Sequence, residues 1–193
     1  MDAMGPEYIV EKTFTKTDFT RNPLSKGEYE RCIFTDCDLS NSDLSGIKFL
    51  ECEFESCNLS LAKLVLTAFR DITFRNCKML GLHFENCNEF GLSFSFMNCF
   101  LDHSTFYRAK IKKTIFTNTK LQEVDFTECD LTGSVFDNCD LMRATFDKTL
   151  LEKADFRTSY NYSINPETNR MKKARFSSLG LAGLLDKYGI EVD

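Results

Sequence analysis

No CxxC pair, no glycine-rich phosphate loop and no Ser/His/Asp set occurs in these 193 residues. The first absence removes the usual zinc-site spacing. The second removes a nucleotide cradle, and the third the nucleophile and base of a hydrolase. The only two histidines are His83 and His103. Nothing approaches the roughly 20 apolar residues of a membrane span. Residues 1–20 contain acids and lack the apolar run of a signal peptide. A net charge of -5 gives no general attraction for nucleic acid. Together these absences exclude neither fold nor binding, but they argue against catalysis, cofactor and metal. They point to a cytosolic protein whose partner is another protein, with no direct contact to nucleic acid or membrane.

What the chain does contain is a period of five. A large apolar residue returns every fifth position, and a small residue stands two places before it. Between Phe126 and Leu141 the large residues are Phe126, Leu131, Phe136 and Leu141. That spacing is neither the 2 of a half-buried strand nor the 3.6 of an amphipathic helix, so the repeat governs the fold. From Phe14 the series runs unbroken to Phe84, and after a disturbance it resumes two residues late at Leu101 and continues to Phe156. Every fourth unit forms a column: Phe14, Phe34, Phe54, Phe74, then Phe94 or Phe96, then Phe116, Phe136 and Phe156. Another column, Leu24, Leu44, Leu64, Phe84, Phe106, Phe126 and Phe146, changes from leucine to phenylalanine halfway. A 20-residue super-period predicts a solenoid of stacked four-sided coils, with like residues above one another. About eight coils at ~4.8 Å each make a rod of roughly 40 Å. Each buried large side chain contributes about 1.5–3 kcal/mol, and stability is expected as a sum of neighbour terms.

All nine cysteines fall at the small inward position, so they read as small packing residues. Residues 1–11 are expected to form an N-terminal cap segment, residues 12–176 the solenoid, and residues 177–193 a C-terminal helix and tail. The phase break lies at residues 87–98. There Glu89 falls on an inward slot, a costly place for a carboxylate; the alternative puts Phe90 inward with two one-residue bulges. Residues 159–173 are expected as an irregular last coil, because Phe176 restores the phase 20 residues after Phe156. Ser177 or Ser178 then suits the N-cap of a helix over about 179–188, with Gly189 at its C′ position. Leu181, Leu184, Leu185 and Tyr188 would share one face of that helix and cover the open coil end.

Units such as Ser42-Asp43-Leu44-Ser45-Gly46, Cys129-Asp130-Leu131-Thr132-Gly133 and Ala154-Asp155-Phe156-Arg157-Thr158 resemble the consensus of the pentapeptide repeat family over residues 12–158. The resemblance implies an all-β solenoid, a right-handed quadrilateral β-helix. Within the family the chain is similar to the Qnr-like branch. That likeness implies a non-enzymatic DNA mimic that binds type II topoisomerases, gyrase and topoisomerase IV, and protects them from quinolones. It also implies a homodimer through the C-terminal helix, on Leu181, Leu184, Leu185 and Tyr188. No long loop projects from the coils, a departure from Qnr-like members that need one.

Two outward groups are candidate partner surfaces. Glu123, Asp125, Glu128, Asp130, Asp137 and Asp140 fall in a stretch without Lys or Arg. They read either as ordinary consensus acids or as an anionic ridge imitating nucleic acid, whose charge density of one per ~1.7 Å is much higher. Leu61, Val65, Leu66, Leu80, Phe100 and Tyr107 form an apolar group near the middle. It is either a contact surface for a structural or scaffolding partner or is covered by residues 1–10, including Tyr8 and Val10.

Overall fold

The computed structural model describes residues 7–190. Eleven short strands arise: β1 (Glu7–Val10), β2 (Thr13–Thr15), β3 (Gly27–Glu30), β4 (Ile33–Thr35), β5 (Lys48–Leu50), β6 (Glu53–Glu55), β7 (Ala68–Arg70), β8 (Ile72–Arg75), β9 (Phe94–Met97), β10 (Ile115–Thr117) and β11 (Val135–Asp137). They pair in parallel as a four-stranded sheet, β1-β3-β5-β7, and a seven-stranded sheet, β11-β10-β9-β8-β6-β4-β2. Isolated parallel bridges such as Asp38↔Asn58 and Asp43↔Lys63 complete two further faces with the same 20-residue step. The result is the four-faced solenoid that the columns predict. We number its faces in chain order from β1, and its coils from residues 7–26 (coil one) to 149–168 (coil eight). Pairing already starts at Glu7, inside the stretch expected to serve as a cap.

The second face carries the organising column. Phe14, Phe34, Phe54, Phe74, Phe96, Phe116, Phe136, Phe156 and Phe176 stack ring on ring, 4.5–5.3 Å between centroids. Offset stacking of this kind adds about 0.5–1.5 kcal/mol per pair beyond area burial. Phe34, Phe54 and Phe74 lie on one wall and are sealed from solvent.

Two local devices recur through the stack. At the small position a hydroxyl or thiol donates to a carbonyl one coil below: Thr67 Oγ1 to Leu44 O at 2.8 Å, Ser159 Oγ to Phe136 O at 2.6 Å, Cys77 Sγ to Phe54 O at 3.3 Å. Cysteine therefore serves as a weak donor as well as a small apolar filler. At the last position of most units the backbone turns with positive φ, from Glu11 and Lys16 to Lys153 and Lys173. Stacking enforces this corner conformation on residues that rarely adopt it alone.

The phase break is resolved differently from either expectation. Neither Glu89 nor Phe90 points inward. Asn88 still donates to Thr67 O, but the next cross-coil bond on this face is Ser93 N to Phe69 O, so two extra residues are expelled as a turn. Phe90 stands 75% exposed above Arg70, whose guanidinium lies 5.2 Å from the ring centroid. Leu92 packs against the core half-buried, and buried Phe94 fills the vacated volume, touching Phe84 at 5.4 Å and Phe96 at 5.0 Å. A buried carboxylate costs more than an exposed ring, and Phe94 removes the need for Phe90 inside.

Beyond Phe156 the irregular coil still buries Tyr162 and Ile164. The C-terminal helix is shorter and more broken than expected: a 3-10 turn at Ser178–Gly180, α1 at Ala182–Leu185, and a second 3-10 turn at Asp186–Tyr188. Ser177 caps the start, accepting from Gly180 N at 3.2 Å, and Gly189 takes φ 61° at the end. The segment docks closely on Tyr162, where a Cβ at Gly180 or Gly183 would overlap that residue. The four expected contact residues consequently split: Leu184 and Leu185 are half-buried, while Leu181 and Tyr188 are exposed.

Candidate functional site

The six acids of the proposed ridge do not share a face. Asp125 lies on the fourth face, Asp130 on the first, Asp137 on the second and Asp140 on the third, with Glu123 and Glu128 at two corners. Asp125, Asp130 and Asp140 each accept from the backbone N–H two residues on, at 2.8, 3.1 and 3.2 Å, so the fold itself uses them to close a turn. Arg143 meets Glu123 at 2.8 Å, Arg108 meets Glu128 at 2.7 Å and Lys112 meets Asp130 at 3.2 Å. The hydrogen bond from Arg108 holds the Glu128 carboxyl below the usual range. Asp137 accepts from Thr158 Oγ1.

The apolar group is more concentrated. Leu61, Leu80 and Phe100 run diagonally across the third face in coils three to five, and Val65, Leu66 and Tyr107 occupy the fourth. Leu61 and Leu66 are 59% and 64% exposed, and Phe100 is 43% exposed; Leu80 and Tyr107 are half-buried. Lys120 caps the Phe100 ring at 5.2 Å and Arg108 the Tyr107 ring at 4.8 Å. Tyr8 and Val10 do not cover the group, because they belong to β1 on the first face and are exposed themselves. Residues 1–6 lie outside the described part.

Leu61 and Leu66 also sit at positive-φ corners, φ 59° and 58°, where every other non-glycine residue is polar or charged. An exposed leucine in a left-handed conformation is unfavourable for solvation and costs about 1–2 kcal/mol in the backbone. The backbone conformation is the one stacking imposes at most corners, but exposed leucine side chains at two consecutive corners of one coil are unexplained by folding.

A depression of about 610 Å³ adjoins the group beside the expelled turn, between Leu66 and Phe84–Asn86 on one side and Tyr107–Lys110 on the other. Leu66, Leu92 and Tyr107 give it apolar walls, and Glu85, Glu89, Arg108 and Lys110 a charged rim. It was not foreseen, because it exists only once Glu89 and Phe90 leave the coil. Among the described residues, no group of three or more His, Cys, Asp or Glu is placed to hold a metal ion. Nor is any described helix long and apolar enough to cross a membrane.

A model of the pentapeptide repeat region matches residues 28–94 and 92–160. No curated protein matches the sequence. Among solved structures, a trypsin-treated variant of QnrB1, a plasmid-mediated fluoroquinolone resistance protein, is 18% identical with a TM-score of 0.58. The similarity spans 94% of this chain and 98% of that one. HetL, a pentapeptide repeat protein involved in heterocyst differentiation regulation from the cyanobacterium Nostoc sp. strain PCC 7120, is 17% identical with a TM-score of 0.50. It is covered over 86% of each chain.

Proposed function

The chain belongs to the pentapeptide repeat family, and we propose that it is a non-catalytic protein-binding rod of the cytosol. The observation that carries this reading is the pair Leu61 and Leu66, apolar at strained, exposed corners and flanked by Val65, Phe100 and Tyr107. A partner protein would bury these side chains, with the Phe100 and Tyr107 rings as anchors. Capture of partners from a lysate tests it: Leu66→Asp with Phe100→Asp should lose partners that the native chain retains, while circular dichroism stays unchanged. Retention of every partner would remove the surface from consideration.

A second reading, binding of a type II topoisomerase as a DNA mimic, is favoured by the likeness to QnrB1 in fold. The arrangement of acids over four faces and their pairing with Arg108, Lys112 and Arg143 count against the anionic ridge as its means. Gyrase supercoiling with ciprofloxacin decides it; neither protection nor inhibition by added protein would reject the reading. The end of the rod supports a homodimer contact on Leu181 and Tyr188, reinforced by Leu179, which is 95% exposed.

A further inference from the structure

The first face is electrically divided along its length. In coils one to four it carries Glu11, Glu28, Glu30, Glu51 and Asp71 against Arg31, Lys48 and Arg70. In coils six to nine the sign inverts. Lys110, Lys112 and Lys113 stand on coil six, Lys153 on coil eight, and Arg170, Lys172 and Lys173 on coil nine, all of them exposed. Only Asp130 and Glu152 oppose them on that half-face. Lys110 pairs with Glu89 and Lys112 with Asp130. Among the described residues Lys113, Lys153, Arg170, Lys172 and Lys173 form no ion pair.

Folding gives no reason for this arrangement. Lys153 N donates to Lys172 O, so coils eight and nine bring Lys153, Lys172 and Lys173 side by side. Like charges facing one another across a ladder destabilise it. Nor does the net charge of -5 decide what the half-face attracts. Coil four lies about 24 Å below coil nine at ~4.8 Å per coil, well beyond the Debye length of ~10 Å at 0.1 M salt.

The kind of partner follows from what accompanies the cations. Among the described residues of this half-face no large apolar side chain is exposed, and Leu150 is half-buried. A protein partner is normally anchored by an apolar centre of the kind Phe100 offers elsewhere. A single nucleic-acid strand is normally held by aromatic platforms under its bases. Duplex phosphates need only cations. Coils six to nine span about 14 Å, along which duplex DNA presents about eight phosphates at one per ~1.7 Å.

We propose that the first face in coils six to nine is a binding surface for duplex DNA, contacted through its phosphates. Cations on a sheet face reach the backbone rather than base edges in a groove, so binding is independent of sequence. The acidic lower half of the same face repels the duplex and confines it to the upper half. This surface is distinct from the group around Leu61 and Phe100 and requires no imitation of nucleic acid.

The test is fluorescence anisotropy of a labelled duplex of about 20 base pairs, titrated with the full chain over a salt series. A dissociation constant on the order of 10 μM is expected at about 50 mM salt. The logarithm of the binding constant should fall against that of salt with a slope of about -4.5, the value for five neutralised phosphates. A duplex of unrelated sequence should bind within about twofold. Lys113→Gln, Lys153→Gln and Lys173→Gln together should bring the slope to about -2 and weaken binding at least about tenfold, with circular dichroism unchanged. Lys48→Gln, on the acidic half, should alter neither. Absence of binding at about 50 mM salt overturns the proposal, as does a slope near zero. So does binding that the triple variant leaves unchanged. Tighter binding to poly-glutamate or to phosphatidylserine vesicles than to the duplex also overturns it, giving the face to an acidic protein or a membrane instead.

Discussion

The lower and upper halves of the rod fill the same interior in two ways. In coils two to four the aromatics of the second face meet those of the adjacent first face edge to face: Phe34 and Phe49 at 78°, Phe69 and Phe74 at 78°. From coil five upward the first face holds Leu92, Ile111, Leu131 and Leu151, and the rings move to the fourth face, across the interior. There Phe106 meets Phe116 at 86° and Phe146 meets Phe156 at 84°. Two rings and two aliphatic side chains per coil is the recurring content, at near-constant volume, as close packing demands. The exchange happens where Phe84 enters the fourth face while Phe69 still occupies the first. The expelled turn follows at once, with Phe94 filling the space. The insertion is therefore a packing joint as well as a surface feature.

The largest expected effect comes from removing that joint. Phe94→Ala should cost about 3–5 kcal/mol, as a fully packed phenylalanine does. In a stack stabilised by neighbour terms it should also uncouple the halves. Urea unfolding followed by circular dichroism and tyrosine fluorescence should then show two transitions where the native chain shows one. Phe116→Ala, of similar size but within the upper half, should keep a single transition. Uncoupling by both variants, or by neither, would deny Phe94 its special place.

The volume rule itself is sharpened by a swap. Leu131→Phe adds a third ring to coil seven and should destabilise by about 1–3 kcal/mol through overpacking. Combined with Phe146→Leu, which transfers the ring from the fourth face to the first within that coil, most of that loss should return. The coupling energy in this double-mutant cycle should reach about 0.5–3 kcal/mol and be favourable. Strict additivity would mean that each face is filled independently, and the comparison between the halves would lose its physical basis.

How much of this was readable beforehand follows from which interactions are periodic. The second-face column and the change to phenylalanine at Phe84 were visible, because the fold is a direct copy of a 20-residue repeat. The matching loss of aromatics from the first face after Phe69 is hidden in the sequence, since the phase break interrupts that column. The fate of Glu89 and Phe90 depended on Phe94, four residues away and nominally in a small-residue slot, so no position-by-position rule could give it. The acids failed as a ridge for a related reason: neighbours in sequence turn a corner every five residues, whereas neighbours in space lie 20 apart. Lys113, Lys153 and Lys173 form a row for that reason. Cysteine at Cys57 or Cys77 was legible as buried, but its donation to the carbonyl below required the coil stacking to be known.

The smallest expected difference lies at the corner following the second face. From coil four upward it carries Asn76, Asn98, Asn118 and Asn138, whose side-chain amides form a ladder: each Nδ2 above Asn76 donates to the Oδ1 below, at 3.0, 3.2 and 2.8 Å. Asn76 anchors the base on Glu55 Oε1, and Thr158 Oγ1 accepts from Asn138 N at the top. Coils one to three have Lys16, Asp36 and Ser56 in the same left-handed conformation, without a ladder. Asn118→Ala removes one donor and one acceptor from the row and places alanine at φ 49°, so a loss of about 1 kcal/mol is expected. Ser56→Ala should stay within about 0.5 kcal/mol. Asn118→Gly separates the two contributions, because glycine relieves the backbone but cannot rebuild the ladder. If the glycine variant is as unstable as alanine in urea unfolding, the amides carry the difference; if it matches the native chain, the corner conformation does, and the upper and lower corners are stabilised alike.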